Sequence, residues 1–269
     1  MGRKILLDGV IKYKDSVNIR HDSPALNFGT GLFETVLYDK NLLFFFNDHI
    51  ERLRSSSEEL HLPLPRFGHV PENHIKELIS QNGITDSTAR VKILYAPLFD
   101  EEKWNLLVTV SDYERTAVPV TATVDLRVKE NYLSRFKTTS YMQNRICSKN
   151  STLNEETLFV NGSGQITEGS RSNLIGVKDN VLFYTGIKEY YLQGIMQKNI
   201  IGDHKKIGFD GAAELEGGFS PEDLGSFDEI MITNSLIIAK TVETVNFGNR
   251  KHCFCSGKHT DRILNFYIK

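Results

Sequence analysis

The stretch ITEGSRSNLIGVKDN, residues 166–180, decides the local fold of the second half of the chain. An apolar run at 174–177 is followed by Asp179-Asn180 and then by a second apolar run at 181–184. Asp and Asn are typical turn residues, so the segment is predicted to form a β-hairpin. Glu168 lies just before this hairpin among small polar residues, and carboxylates are seldom buried without a partner. The sequence therefore raises the question of what Glu168 binds.

The composition is that of an ordinary globular protein. The 269 residues are 40% hydrophobic and 25% charged, which suits one large domain or two smaller ones. A net charge of −2 gives no basic field for nucleic acid or an anionic membrane. Charges interrupt the apolar runs of MGRKILLDGVIKYKD, and no stretch approaches the roughly 18 apolar residues of a membrane span. Three cysteines are too few for a disulfide framework, so we expect a cytoplasmic protein.

The N-terminal part reads as a smaller α/β or α+β domain over residues 1–113, followed by a connector at 114–120. We expect a buried strand in NLLFFF, and then a helix capped by Asn47 or Asp48. The other predicted elements are strands at 4–7, 10–13, LFETVLYD, ARVKILYAP and NLLVTVSDY, and a helix in PENHIKELISQNG.

The C-terminal part, residues 121–269, reads as a second and larger domain. It opens with the strand TATVDLRV and continues into YLSRFKTTSYMQNRICSKNST, which is predicted to be a loop leading into a helix. A meander of hairpins over 156–184, a helix in GIMQKNIIGDHKKIG and a strand in FDEIMITNS follow. The predicted architecture is therefore two α/β units with a cleft between them.

Each candidate functional residue has an ordinary structural explanation when it is taken alone. Lys137 is typical of a surface lysine, and the chemical alternative is an amine that forms a Schiff base in a cleft. Arg52 has the character of a solvated helix charge. Ile195 and Met196 begin a predicted helix whose free N–H groups would bind a phosphate in the functional interpretation. Single residues leave both interpretations open.

The order of several motifs is more specific than any one of them. FGTGLFETV, HIERLR, KTTSY, TEGSRSNL, QGIM and TNSL follow one another along the chain. In this order the sequence resembles the fold-type IV pyridoxal-phosphate enzymes. This class IV aminotransferase family includes branched-chain and D-amino acid aminotransferases and 4-amino-4-deoxychorismate lyases. The resemblance covers about residues 27–240 and implies a two-domain α/β and α+β fold with the cofactor cleft between the domains. It places the cofactor lysine in the larger C-terminal domain.

The resemblance assigns roles around the cofactor ring. Lys137 stands where the family lysine forms a Schiff base with pyridoxal 5'-phosphate, and Tyr141 resembles the tyrosine near the cofactor's phenolic oxygen. Glu168 matches the glutamate that pairs with the pyridine nitrogen, where a carboxylate favours the protonated ring. The residues that follow it, which would bring the backbone close to the ring and continue the hairpin, are Ser170, Ser172 and Asn173.

The resemblance also implies a phosphate-binding group of a guanidinium, a helix N-terminus and a hydroxyl. Its members are Arg52, the N–H groups of Ile195 and Met196, and Ser235. Met196 stands where the family usually has a threonine, so one hydroxyl donor is lost. A single hydrogen bond of this kind contributes about 1 kcal/mol.

On the substrate side, Phe33 matches a pocket aromatic residue and Lys92 a basic residue that faces the substrate carboxylate. The N–H groups of Leu236 and Ile237 are candidates for a second carboxylate contact. APLFDEEKW does not match the Arg- and Gly-rich loop of several relatives, and IIAKTV replaces a segment that usually ends in Pro-Val. Both departures fall where substrates are chosen.

Two reactions therefore stay open. Transamination of a small amino acid to a 2-oxo acid ranks slightly ahead, and cleavage of aminodeoxychorismate to pyruvate and 4-aminobenzoate is the alternative. FET, TNSL and the compact length favour the lyase, whereas the missing loop speaks against it. The resemblance implies a small-molecule substrate and a homodimer.

Two features suggest functions from other classes. HCFCSGKH, residues 252–259, suggests a metal site, but Cys-x-Cys spacing is unlike a zinc pair, and a strand with ordinary cysteines is favoured. We therefore expect no metal. A non-catalytic relative that only binds the cofactor is suggested by Met196, whereas retention of both Lys137 and Glu168 speaks against it.

Overall fold

The computed structural model describes residues 2–84, 87–148, 152, 154–186, 191–255 and 257–268, without the side chain of residue 69. The chain forms two compact units. Unit 1 consists of Met1–Arg115 and Phe136–Tyr141, and unit 2 consists of Thr116–Arg135 and Met142–Lys269. The sequence placed Lys137 in the C-terminal domain, but in the structure Phe136–Tyr141, which include Lys137, pack within unit 1. They do so because their backbone forms hydrogen bonds with the start of the strand that carries Phe33.

Unit 1 is built on a six-stranded sheet in which every neighbouring pair is antiparallel. The strands are β1 (Lys4–Leu7), β2 (Val10–Tyr13), β3 (Leu32–Asp39), β4 (Leu42–Leu43), β5 (Ala89–Ala96) and β6 (Asn105–Asp112), in the spatial order β2-β1-β6-β5-β3-β4. The helices are α1 (Pro24–Asn27), α2 (Phe46–Glu59) and α3 (Glu72–Gln81).

The core of unit 1 follows from side-chain alternation along the strands. Val36 on β3 and Val91 and Ile93 on β5 are fully buried, and they join one apolar cluster with Leu53 of α2 and Ile75 of α3. The two helices bury these residues because apolar positions recur at helical spacing. The sheet thus presents one face to the helices.

The predicted strand NLLFFF and the predicted helix cap are wrong. Only Leu42–Leu43 form a strand, and the helix starts at Phe46 after a left-handed Phe45 with φ of 51°. Asn47 and Asp48 therefore lie inside the first turn. The earlier start places Phe46 in the core, where it is 8% exposed. A polar cap residue stabilises a helix by about 1 kcal/mol. Burial of the Phe46 ring contributes more, so the earlier start is favoured.

Unit 2 is built on a mixed sheet of nine strands. They are β7 (Val120–Val128), β8 (Glu155–Val160), β9 (Ile166–Gly169), β10 (Asn173–Lys178), β11 (Val181–Thr185), β12 (Gly211–Leu215), β13 (Glu229–Thr233), β14 (Lys240–Phe247) and β15 (Arg250–Cys253). The spatial order is β12-β11-β10-β13-β14-β7-β8-β9, and β15 also pairs with β14. The helices are α4 (Met142–Ser148), α5 (Ile195–Gly202), α6 (His204–Ile207) and α7 (Lys258–Tyr267).

The hairpin predicted from residues 166–180 is confirmed. β10 pairs antiparallel with β11, and Ile175 faces Tyr184. Asp179 and Asn180 have φ of 49° and 60°, the left-handed values that a tight hairpin turn requires and that Asp and Asn tolerate.

Two further predictions in unit 2 differ in detail. The single helix expected in GIMQKNIIGDHKKIG is divided at Asp203 into α5 and α6. The helix expected after KTTSY is α4, and residues 149–151 of that prediction lie outside the described residues. Among the described residues, no helix is long and apolar enough to cross a membrane.

Candidate active site

The segment that carries Lys137 is held by backbone hydrogen bonds to the start of β3. The Phe33 N–H donates to the Lys137 carbonyl at 2.9 Å, and the Thr139 N–H donates to the Gly31 carbonyl at 2.8 Å. A Cβ on Gly31 would lie 3.1 Å from Thr139 Oγ1, and a Cβ on Gly29 would lie 3.0 Å from Ser140 Oγ, so a side chain at either position would crowd KTTSY. The FGTG motif therefore lets KTTSY lie directly against β3, which fixes the backbone beneath the lysine.

Four predicted residues of unit 1 come together around one aromatic ring. The Lys137 amine lies 4.7 Å from the centroid of the Phe33 ring, and the Lys92 amine lies 5.2 Å from it. Tyr141 packs edge-on against Phe33 with ring centroids 5.5 Å apart, and its own ring centroid is 6.0 Å from the Lys137 amine. Two amines and two aromatic rings thus form one cluster, in which cation–π attraction favours both ammonium groups.

Arg52 belongs to a buried charge cluster that the sequence analysis did not identify. Its Nε and Nη2 atoms donate to Glu34 Oε1 and Oε2 at 2.7 Å and 2.6 Å. His49, one helical turn before Arg52, has its Nδ1 2.6 Å from the same Glu34 Oε2. The bidentate contact fixes the plane of the guanidinium. The signal in the sequence was Glu34 itself, a carboxylate at a buried position of β3 that requires a cationic partner.

The electrostatics of this cluster are set by burial and by Arg52. Burial opposes ionisation of Glu34, but the charge of Arg52 and the hydrogen bond with His49 outweigh it and lower the pKa of Glu34 to about 2. Burial lowers the pKa of His49, against the effect of Glu34. Glu34 is therefore a carboxylate at neutral pH, and the neutral His49 ring donates to it through Nδ1.

In unit 2, Glu168 lies on β9 and is 4% exposed. Lys129 Nζ donates to Glu168 Oε1 at 2.6 Å, and the Leu192 N–H donates to Oε2 at 3.3 Å. The same lysine amine lies 5.1 Å from the centroid of the Phe159 ring. Lys129 is another residue that the sequence analysis missed, because a lysine after an exposed strand end gives no sign of burial.

The two serines after Glu168 bind a buried carboxylate on the neighbouring strand. The hydroxyls of Ser170 and Ser172 donate to Glu156 Oε1 and Oε2 at 2.5 Å and 2.7 Å. Asn144 Nδ2 donates to the Ser170 carbonyl at 2.9 Å. Glu156, which lies on the same buried face of β8 as Leu158, thus organises the loop between Glu168 and β10.

The predicted phosphate-binding helix begins where expected. α5 starts at Ile195 with Gly194 as its N-cap, and the first N–H groups of a helix lack partners within it. Asn173 Nδ2 donates to the Leu192 carbonyl at 2.7 Å, and a Cβ on Gly194 would lie 2.0 Å from Asn173 Oδ1. Gly194 is therefore required by the close approach of Asn173. The Met196 side chain is buried, so it packs in the interior.

The turn after β13 contains the remaining predicted residues. Asn234 Oδ1 accepts hydrogen bonds from the N–H groups of Leu236 at 2.9 Å and Ile237 at 3.0 Å. Both N–H groups already have an acceptor, so a substrate carboxylate would have to replace Asn234 there. Ser235 is half-buried in this turn, and Ile238 has a left-handed φ of 65°.

The C-terminal cysteines lie apart from these clusters in sequence. Cys253 ends β15, and both Cys253 and Cys255 are exposed and reduced. Ser256 of the HCFCSGKH motif lies outside the described residues. Within the described part of the chain, no group of three or more His, Cys, Asp or Glu side chains is arranged to hold a metal ion.

Comparison with known proteins identifies the family. The model of the family described as amino-transferase class IV matches residues 31–244, most of the chain. The chain belongs to this family. Its fold is also that of a solved structure, a hypothetical aminotransferase from Mycobacterium tuberculosis with bound α-ketoglutarate and PMP. The two are 18% identical with a TM-score of 0.83, over 98% of this chain and 99% of the other.

Two curated class IV relatives cover nearly the whole chain. An aminodeoxychorismate lyase from Bacillus subtilis is 28% identical over 275 residues, which cover 95% of this chain and 90% of the relative. A D-alanine aminotransferase from Listeria monocytogenes is 22% identical over 252 residues, covering 87% of this chain and 84% of the relative. The relatives thus include a lyase and a transaminase.

Class IV enzymes bind pyridoxal phosphate, so pyridoxal phosphate is the cofactor of this chain. The donor sets of the two units suit its chemical parts. In unit 1, the Lys137 amine is of the type that condenses with an aldehyde, and the Arg52 guanidinium, oriented by Glu34, is of the type that binds a phosphate. In unit 2, the buried Glu168 carboxylate is of the type that pairs with a protonated ring nitrogen, and a helix N-terminus such as that of α5 suits a phosphate.

Proposed function

We propose that this class IV enzyme transfers the amino group of a small amino acid to a 2-oxo acid, with Lys137 as the catalytic residue. Pyridoxal phosphate, when bound, supplies an aldehyde and a ring that accepts the electron pair left at the substrate α-carbon. Lys137 would hold that aldehyde. Its Nζ would accept the α-proton of the substrate and later return it. The Phe33 and Tyr141 rings hold the amine beside them.

Binding and orientation fall to the remaining residues. Arg52, whose guanidinium is held by Glu34, binds the phosphate together with the N–H groups of Ile195 and Met196 and the Ser235 hydroxyl. Glu168 favours a protonated ring nitrogen by charge attraction. Ser170, Ser172 and Asn173 shape the backbone that supports Glu168.

The observation that favours transamination is the pair of amines on the Phe33 ring. Lys137 Nζ and Lys92 Nζ lie 4.7 Å and 5.2 Å from its centroid. In our proposal Lys137 carries out the chemistry, and Lys92 provides one cation for one substrate carboxylate. The N–H groups of Leu236 and Ile237, the second predicted carboxylate contact, donate to Asn234. One cation suits a monocarboxylic amino acid.

Aminodeoxychorismate lyase activity is the second candidate. The observation that favours it is the Bacillus subtilis lyase, 28% identical over 95% of this chain. The substrate of that reaction carries two carboxylates, so it needs a second anion contact. Replacement of Asn234 Oδ1 at the turn after β13 would free two N–H donors for that purpose.

The test combines covalent labelling with a substrate panel. Borohydride reduction of the yellow protein should attach the cofactor to Lys137, as shown by peptide mass mapping. Lys137→Met should abolish this attachment, whereas Lys92→Met should keep it and raise KM for the amino donor. Attachment of the cofactor elsewhere contradicts the role of Lys137.

The panel contains L- and D-amino acids with 2-oxo acids, and aminodeoxychorismate. Formation of a new amino acid supports transamination. If the protein releases pyruvate and 4-aminobenzoate from aminodeoxychorismate and shows no transamination, the transaminase proposal is wrong and the lyase reaction is supported.

We also propose that the chain assembles as a homodimer. Unit 2 exposes large apolar side chains that a partner would cover, including Leu126, Met142 and Ile146, which are 62%, 73% and 55% exposed. Light scattering on the purified protein measures the mass directly. A monomer of 30.6 kDa contradicts the proposal. Cytoplasmic location stays a prediction.

A further inference from the structure

Two lysines of unit 2 are buried among the described residues, and they differ in their partners. Lys129 is 9% exposed, and its amine is 2.6 Å from Glu168 Oε1. Lys240 is 6% exposed, and its amine donates to the neutral oxygens of Thr116 Oγ1 at 2.8 Å and Asn154 Oδ1 at 3.1 Å. A lysine is rarely buried without a paired charge, and Lys129 is the one of the two that contacts a carboxylate.

Lys129 is a cation in direct contact with Glu168, and other groups nearby are neutral donors. Oε2 accepts from the backbone N–H of Leu192. The neighbouring Tyr191 donates its hydroxyl to the Thr185 carbonyl at 2.6 Å, and burial, with a contribution from the Glu168 charge, raises the pKa of Tyr191. Tyr191 therefore stays neutral and does not compete for the carboxylate charge.

We propose that Lys129 is a positioning residue that orients Glu168 and, by taking part of the attraction of its carboxylate, limits how strongly the chain holds a proton on the cofactor's ring nitrogen. The inference rests on the proposed pairing of Glu168 with that nitrogen. An ionised carboxylate oxygen has two acceptor sites, so Glu168 can accept from Lys129 and from a ring N–H together.

The direction of the effect follows from charge. One carboxylate that faces two cations holds the second less strongly than it would hold it alone, because the cations repel each other. Removal of Lys129 takes one cation away from Glu168. The protonated ring is then favoured more strongly, and with it the capacity to accept electrons. Lys129 is therefore inferred to moderate the ring charge.

A merely structural role predicts something different. A buried ion pair that only stabilises unit 2 would, when broken, weaken folding and reduce the affinity for every cofactor analogue alike. The ring nitrogen would have no special part in that loss. The two explanations are separated by a cofactor analogue that lacks this nitrogen.

The experiment compares dissociation constants for pyridoxal phosphate and for its 1-deaza analogue, in which C–H replaces the ring nitrogen. The ratio of the two constants reports the ring nitrogen alone. A neighbouring charge shifts protonation equilibria by roughly 10- to 1,000-fold, so Lys129→Met should change the ratio by about tenfold or more in favour of pyridoxal phosphate. The ¹⁵N chemical shift of labelled, bound cofactor should move toward the protonated value.

Three variants complete the design. Lys129→Arg keeps the cation and should keep the wild-type ratio, which covers the case in which Lys129→Met does not fold. Lys240→Met removes a buried lysine without a carboxylate partner and should also leave the ratio unchanged. Glu168→Gln should bring the two affinities close together.

The outcomes separate the inference from the proposed function. An unchanged ratio in Lys129→Met, with Glu168→Gln still collapsing it, overturns the role of Lys129 alone. A ratio that Glu168→Gln leaves unchanged overturns the pairing of Glu168 with the ring. If Lys129→Met does not fold, a ratio in Lys129→Arg that matches Glu168→Gln contradicts the charge argument.

Discussion

Replacement of Glu34 by Gln should destabilise unit 1 strongly, because Glu34 neutralises Arg52 in the interior. Glu34 is 1% exposed, and Arg52 donates to both of its oxygens. Glutamine keeps the size of the side chain and one acceptor oxygen but removes the charge. Arg52 would then lose its bidentate partner, and the guanidinium would no longer be fixed in one plane.

The magnitude follows from the pKa of Glu34, which is lowered from 4.5 to about 2. At about 1.4 kcal/mol for each factor of ten, the ionised form contributes roughly 3 kcal/mol to the free energy of unfolding at pH 7. A carboxylate with a depressed folded-state pKa stabilises fully above its unfolded value. This contribution is therefore lost as the pH falls from 4.5 toward 2, and the difference between wild type and Glu34→Gln should shrink over that interval.

Urea unfolding followed by Trp104 fluorescence measures the effect. Trp104 is the single tryptophan of the chain, lies in unit 1 and packs against its core. Glu51→Gln is the matched control, because Glu51 lies on α2, the helix that carries Arg52, and pairs with Arg54 at 3.1 Å on the exposed surface. An exposed pair of this kind contributes little. The reasoning is refuted if Glu34→Gln loses no more stability than Glu51→Gln, or if its deficit persists unchanged at pH 3.

Three further perturbations address unit 2. Gly194→Ala should lower cofactor affinity in equilibrium dialysis, because its Cβ would lie 2.0 Å from Asn173 Oδ1. A second change, Asn173→Ala, should restore part of the affinity, and a double variant without any recovery would argue against the clash. Glu156→Ala leaves two buried serine hydroxyls without their acceptor and should lower the free energy of unfolding by about 2 kcal/mol or more, unlike Glu155→Ala on the exposed face. Glu229→Ala removes the acceptor of the first N–H groups of α7 and should raise hydrogen exchange in Lys258–Tyr267; unchanged protection would contradict this anchoring.

Much of the fold was accessible from the sequence because its signals are local. The hairpin at Asp179-Asn180 was predictable, since those residues tolerate the left-handed backbone that the turn adopts. The strands β5 and β6 alternate clearly. The error at NLLFFF had a different origin. Three phenylalanines favour a strand locally, but the tertiary environment turned the third into the first residue of a helix.

The candidate site was predictable only as far as motifs identify it. The order of motifs named Lys137, Arg52 and Glu168, but nothing in the sequence showed what holds them. Glu34 and Lys129 are charged residues whose partners lie 18 and 39 positions away, so their pairing depends on the fold. The roles assigned to the site residues stay predictions until they are measured.

The six residues Phe136–Tyr141 have a consequence for any attempt to take the chain apart. They belong to unit 1 although the segments on either side belong to unit 2, so the polypeptide passes between the units three times. A fragment ending at Arg115 would leave the Phe33 amide without its carbonyl acceptor and would omit Lys137 altogether. An engineered version of unit 1 needs the hexapeptide restored by a short artificial linker, and a graft of Lys137 onto another scaffold must carry β3 with it.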